Sequence, residues 1–361
     1  MNLDNRVCEI LGIKVPIIQA GMAGDKITTV DLIVNVCEAG GLGTLGAAYM
    51  HPEDIRQAVR EIRKYTKRPF AVNLFATEMS DNTGGLEEVQ QVLDMMRGVL
   101  SIKRVEQEVK TKNLFKEQFK VLVEEQVPIV STAFGVLPPY AMKIAKENDI
   151  KVMTMVTTVK EALMAQEQGT NVIIAQGSEA GGHRGTFNVN EHPNGANIGL
   201  FSLVPQIVDQ VDIPVVATGG IMDGRGLIAA LALGASGVQM GTAFLATQES
   251  GAHPCYKEAL HESNEESTVL TKHFSGRPAR GIANTFIKEF ENSKIQPLCF
   301  PTQNTITGDI RRAAAKLGDK EYMSLWCGQS TRLLERDRTA DDLVKATMQQ
   351  AENILKTLYY S

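Results

Sequence analysis

The chain has 361 residues, 43% apolar and 22% charged, with 31 glycines and a formal net charge of −5. That length admits one barrel domain of ~250 residues with insertions, or two ordinary domains, and the composition excludes a disordered chain. No run of lysine and arginine is dense enough for nucleic acid or an anionic membrane, so the expected partner is a small molecule.

The opening MNLDNRVCEI has no basic segment followed by an apolar one, so a secretory signal is not expected. Eight short apolar runs then follow, at 16–20, 41–46, 70–75, 129–134, 151–156, 172–176, 214–218 and 237–241. Runs apolar on both faces suit parallel strands covered by helices. After the first run, Thr28 or Thr29 caps a helix through Val30, Ile33, Val34 and Cys37, stopped at Gly40 and Gly41. Segment 53–65 repeats the pattern through Ile55, Ala58, Val59 and Ile62, and 158–168, 202–210 and 224–233 do the same. Eight alternations predict an α/β fold of the closed (β/α)₈ TIM-barrel class.

Two stretches exceed what the barrel needs. Residues 77–126 include a long charged helix expected around 86–125, and 243–361 hold helical patterns at 254–263, 309–317 and 340–358 with no strand repeat. The expected division is a barrel over 1–76 and 127–250, a helical insertion at 77–126, and a helical C-terminal lid at 251–361. The apolar stretch Leu227 to Ala246 is broken by Gly234, Ser236, Gly237, Gln239 and Gly241, so it reads as helix, turn and buried strand, not a membrane span. Cys8, Cys37, Cys255, Cys299 and Cys327 show no metal-ligand spacing, which suits a reducing cytoplasm and no metal.

Such barrels build their active site at the C-terminal ends of the strands. The first run ends at Ala20 and leads into Gly21, Met22 and Ala23, the third ends near Asn73, and the sixth opens QGSEAGGHRG at 176–185. The seventh runs into Gly219 and Gly220 and the eighth into Gly241 and Thr242, the usual phosphate position in this fold, where glycine permits close backbone approach. No G-x-G-x-x-G follows a strand, which disfavours a Rossmann site. His183 is the natural proton-transfer group, its alternative being to brace the loop. Glu179 and Arg184 are expected as an ion pair or solvated charges. Gln176 and Gln239 would donate to a heterocycle or bond within the core, and Asn73 needs a partner for its amide. Met22, Tyr49, Phe75, Phe134 and Phe187 would wall an apolar pocket, with Trp326 over the barrel mouth.

These segments resemble the nitronate monooxygenases, or 2-nitropropane dioxygenases, which are FMN-dependent barrel enzymes. The resemblance runs nearly end to end, through PIIQAGMAG at 16–24, AGGLGTLGA at 39–47, FAVNLF, QGSEAGGHRGTF, PVVATGGIMDGRG, GVQMGTAFLAT and IRRAAAKLGDKEYMSLWCGQS. It implies FMN contacts at Asn73, Gln176, Gly181, Gly219, Gly220 and the turn Gln239, Met240, Gly241 and Thr242. Ala20, Gly21, Met22 and Gly182 join them as candidates, and His183 becomes the catalytic residue. It further implies oxidation of alkyl nitronates by O2 to carbonyl compounds and nitrite without nicotinamide, by a cytoplasmic monomer or homodimer. His183 would remove the α-proton of a neutral nitroalkane, or bind the nitro group of a substrate arriving as its anion. Flavin-dependent enoyl-acyl-carrier-protein reductases share the E-x-G-G-H core and the GGI and GT turns, and are the alternative, using NAD(P)H. A dehydrogenase with a cysteine nucleophile is disfavoured, since no cysteine lies between Cys37 and Cys255. A flavin-binding protein without catalysis would need no proton-transfer residue.

Overall fold

The apolar runs become strands: β1 (Ile17–Gln19), β2 (Thr44–Gly46), β3 (Ala71–Phe75), β4 (Ile129–Ala133), β5 (Lys151–Val156) and β6 (Val172–Gln176). A two-residue strand, β7 (Gly182–His183), follows, then β8 (Val215–Thr218) and β9 (Gly237–Met240). The coordinates are a computed structural model that describes residues 5–24, 27–104 and 108–360. The eight long-run strands form one parallel sheet in the order β1-β9-β8-β6-β5-β4-β3-β2. A bridge between Ile18 and Leu42 brings its two edges together, with Gln19 N donating to Leu42 O at 2.9 Å and Leu42 N to Ile17 O at 2.9 Å. Closure leaves few bare edge groups and makes the barrel interior a packed core.

That interior is filled by Ile18, Leu42, Ala71, Ile129, Met153 and Ile174, and its N-terminal end is plugged by Val7, Cys8 and Leu11 of the helix Arg6–Leu11. Only the C-terminal mouth remains for a ligand. Thr29 caps the helix Val30–Glu38 by accepting from Leu32 N at 3.0 Å, while Thr28 Oγ1 accepts from Gly46 N.

The surplus stretches divide differently from the expectation. The chain breaks helix at Ser101, where φ is 55°, so the expected helix 86–125 is two helices, Leu86–Val99 and Phe115–Glu124; residues 105–107 of that expectation lie outside the described residues. Phe115–Glu124 packs on β3 and on the helix Pro52–Tyr65, as a barrel helix does. Val89, Val92, Leu93 and Met96 instead share a core with Phe274, Phe286 and Phe290 of the C-terminal region. Arg97, buried there, donates to Asp309 at 2.7 Å and Asp94 at 2.6 Å.

The C-terminal region also contains strands, β10 (Thr268–Thr271) and β11 (Ala279–Ile282), which form an antiparallel pair, with β11 also pairing to β7. Four residues each are too few for a legible period. The last helix, Ala340–Tyr360, packs against Gly224–Ala232 and Val30–Glu38, closing the outer ring of the barrel. The cap over the mouth therefore lies between Leu245 and Ala340, inside the last βα unit. At Gly224 an added Cβ would stand 2.5 Å from Ala351 N and 2.6 Å from Thr347 O. Gly224→Ala is expected to lower stability by about 1–3 kcal/mol through overpacking, read as a lower Tm; an unchanged Tm would contradict that seating. Among the described residues no helix is long and apolar enough to cross a membrane.

Candidate active site

The strand tips open into one cavity between barrel and cap. Ala20, Gly21, Met22, Asn73, Gln176, Gly181, Gly182, Gly219, Gly220, Gln239, Gly241 and Thr242 all line it, together with His183. Met240 does not: its side chain is buried among Ala217, Leu227 and Phe244 on the outer side of the strand, as the alternation along β9 requires. Phe187 also departs from the expected wall, packing against that outer core. Met22, Tyr49, Phe75, Phe134 and Trp326 do face the cavity.

One pole is backbone. Gly219 and Gly220 have φ of 125° and 70°, a turn that only glycine adopts without strain. Among the described residues, the amides of Gly219, Gly220 and Ile221 donate to no backbone carbonyl outside the strand ladders. Gly241 precedes the short helix Thr242–Leu245, whose first-turn amides lack intrahelical acceptors. The cap pins this pole: Gly328 N donates to Thr242 Oγ1 at 3.0 Å and Ser330 Oγ to Gly220 O at 3.0 Å. A Cβ on Gly181 would lie 2.3 Å from Cys327 C, so that glycine lets the cap segment settle on the loop.

The other pole is amide and imidazole. Among the described residues the side chain of Gln239, 4% exposed, bonds nothing, and Asn73 uses one N–H, to Ser131 Oγ at 3.3 Å. Gln176 is committed to the loop, its Oε1 accepting from Gly185 N at 2.8 Å and its Nε2 donating to His183 O at 3.0 Å. Glu179 and Arg184 are not an ion pair. Glu179 accepts from Leu200 N at 2.9 Å, at the start of the helix Leu200–Val208. Arg184 is fully buried and donates to the carbonyls of Gly177, Gln176 and Ala196 at 2.7, 2.9 and 3.1 Å.

His183 is held from the cap: β7 pairs it with Ala279, and its Nε2 lies 2.8 Å from Ser275 Oγ. Phe134 meets its ring edge-on at 5.7 Å and Trp326 lies at 5.5 Å. Arg277, stacked 4.0 Å over Phe134, donates to Thr186 O, and Arg311 donates to Asn304 O at 2.6 Å. Burial first, then the positive Arg277 and Arg311, push the imidazole down to about 3. His183 is therefore neutral at physiological pH. His273 is held down to about 4 by burial and then Lys272. From pH 6.5 down to about 3 the unfolded chain takes up protons that these folded rings refuse, so stability of the apoprotein falls as pH falls through that window. Thermal melts across it should be less pH-dependent in His183→Asn; an identical dependence would contradict this assignment.

Ser275 and Arg277 carried no signal in the sequence, because they reach the site only through the β11–β7 pairing. Ser330 and Gly328 lay in the CGQS segment, whose glycine and serine were its only mark.

The model of the nitronate monooxygenase family matches residues 4–350. The chain belongs to the nitronate monooxygenase family. A probable nitronate monooxygenase of Staphylococcus saprophyticus is 43% identical over 358 residues, 98% of this chain and 99% of the relative. One from Staphylococcus aureus is 41% identical over 98% of both chains. The solved nitroalkane oxidase of Streptomyces ansochromogenes superposes with a TM-score of 0.90 at 37% identity, covering 96% of this chain and 98% of its own. FabK from Thermotoga maritima gives 0.78 at 31% identity, covering 99% and 98%. As a member of the nitronate monooxygenase family the chain is an oxidoreductase, and its barrel agrees with those of both solved relatives.

Proposed function

We propose that this chain binds FMN at the strand tips and uses O2 to oxidise alkyl nitronates, such as propionate 3-nitronate, to carbonyl compounds and nitrite. The observation that carries the reading is the meeting, in one cavity, of unspent amides at Gly219–Ile221 and at Gln239 with the His183 ring. The donor set suits FMN. The turn at Gly219 and Gly220, with the Thr242 hydroxyl and the helix start behind it, fits a phosphate. Gln239 and Asn73 fit the polar edge of a heterocycle, and Met22 and Met155 offer apolar surface to its faces.

FMN when bound supplies the electron transfer from substrate and on to O2. The chain's own residues choose the substrate form. A ring with pKa about 3 is a weak base toward a carbon-bound proton, whereas Arg277 and Arg311 create a positive field in a mainly apolar-lined pocket. The one proton of the Ser275 hydroxyl has two acceptors in reach, Nε2 at 2.8 Å and Arg277 O at 3.2 Å. In the tautomer where Ser275 donates to Nε2, Nδ1–H is left to donate to a nitronate oxygen. The site thus favours substrates that arrive as anions, while the aromatic wall of Phe75, Phe134 and Trp326 excludes water.

Oxygen consumption by the FMN-loaded enzyme tests this. Uptake on ethyl nitronate and propionate 3-nitronate, slower uptake on the neutral nitroalkanes, and no rapid flavin reduction by NADH or NADPH are expected. Rapid reduction by either nicotinamide with no nitronate turnover would favour the enoyl-acyl-carrier-protein reductase reading, which FabK's likeness keeps in view.

A further inference from the structure

The hydroxyl that meets His183 sits in a tight turn whose heavy atoms are fixed on several sides. Ser275 N and Gly276 N both donate to Lys272 O, at 3.2 and 2.7 Å. Gly276 has φ of 81° and stands where a Cβ would collide with Leu298 O and Phe300 N, so the turn is seated hard against that cap segment. Arg277 N donates to Ser275 Oγ at 3.3 Å, and two residues further on Ala279 pairs with His183 across β11 and β7. Within these constraints the proton of the hydroxyl is the part left free to turn.

That proton decides what the imidazole presents to the cavity. Ser275 is buried, and its oxygen carries one proton and two lone pairs. Among the described residues no backbone N–H outside the strand ladders donates to Arg277 O, so that carbonyl depends on the hydroxyl, 3.2 Å away. With the ring proton on Nε2 every position is filled: the oxygen accepts from Nε2–H and from Arg277 N, and donates to Arg277 O. Nδ1, which bonds nothing among the described residues, then offers a lone pair to the cavity that His183 lines. With the ring proton on Nδ1 the hydroxyl turns to Nε2 and Arg277 O loses its donor. This second arrangement becomes the better one once an anion accepts a charge-assisted bond from Nδ1–H.

We propose that Ser275 is a positioning residue that sets the tautomer of His183: its hydroxyl holds Nδ1 as an acceptor while no anion is bound, and supports Nδ1–H, after exchange of the ring proton with solvent, when an anion enters. What the two states do rests on the nitronate reading above. The donor state binds a nitronate oxygen. The acceptor state takes the α-proton of a neutral nitroalkane onto Nδ1, the C–H electron pair becoming the C=N bond of the nitronate, while Nε2–H stays on Ser275 until the ring returns a proton to solvent. One hydroxyl thus lets one ring serve both substrate forms.

The first test reads the ring itself. Nitrogen NMR of the FMN-loaded protein with isotopically labelled histidine, the His183 signals being those absent from His183→Asn, reports which nitrogen carries the proton. The wild type should show Nε2–H alone and Nδ1–H with propionate, whose planar two-oxygen anion matches that of a nitronate. Ser275→Ala should show Nδ1–H in both conditions, because a buried N–H without an acceptor is tolerated less than a bare lone pair. Oxygen uptake is the second readout. In Ser275→Ala kcat/KM on nitroethane should fall at least about tenfold further than on ethyl nitronate, through kcat, and Ser275→Thr, which keeps the hydroxyl, should restore the ratio. Wild-type ring signals that ignore propionate, no nitroethane turnover by a wild type that oxidises ethyl nitronate, or equal losses on both substrates in Ser275→Ala would each overturn the proposal; the last is what a merely loosened turn produces. A wild type that does not oxidise ethyl nitronate would instead overturn the nitronate reading, and the response to propionate would still decide the role of Ser275.

Discussion

His183→Ala is expected to lower kcat/KM on nitronates by about 10²–10³-fold, the usual loss when one preorganised donor to an anionic group is removed. The protein should still fold and hold flavin. The imidazole makes one side-chain hydrogen bond, to Ser275, whereas the strand pairing that anchors the loop runs through the backbone of Gly182 and His183. The checks are steady-state oxygen uptake and the visible spectrum of the variant. Unchanged turnover with a normal flavin spectrum would leave a flavin-binding protein in which the ring only braces its loop.

The neighbouring side chain should behave in the opposite way. Arg184→Ala removes a fully buried guanidinium and takes a donor from three buried carbonyls, those of Gly177, Gln176 and Ala196, of which Gly177 O keeps Ala180 N at 3.2 Å. Each lost bond to a charged group is worth about 1.5–3 kcal/mol, and the sum is offset in part because the variant no longer buries a charge. A loss of about 3–5 kcal/mol in unfolding free energy is expected, and chemical denaturation measures it. Lysine should not rescue the position, because one ammonium cannot reproduce a planar fork that spans three acceptors. A stability equal to wild type would contradict the burial of this arginine.

The contrast between these adjacent residues marks what the sequence disclosed. The strands were legible because they are apolar on both faces, and the glycines at their tips marked where a ligand approaches. His183 was legible from its place between glycines. Arg184 was not, since an arginine beside an acidic residue reads the same whether it is solvated or locked beneath a loop. Met240 was misplaced because a turn read as a unit hides the alternation that sends its side chain outward while Gln239 faces the cavity. Ser275 stands 92 residues from His183 and meets it through four-residue strands with no legible period. The final helix read as part of a lid because its amphipathic spacing carries no record of its partners, the ring helices Val30–Glu38 and Gly224–Ala232 between which it completes the barrel.

The proposed phosphate clamp is the feature on which the proposed cofactor, substrate position and catalysis all depend. Titrating the apoprotein with FMN and with riboflavin, followed by flavin fluorescence, tests it most directly. FMN should bind at least about 100-fold more tightly than riboflavin, as two or more charge-assisted bonds at the Gly219–Ile221 and Thr242 pole require. Equal affinity for both flavins, or binding of neither, would contradict it.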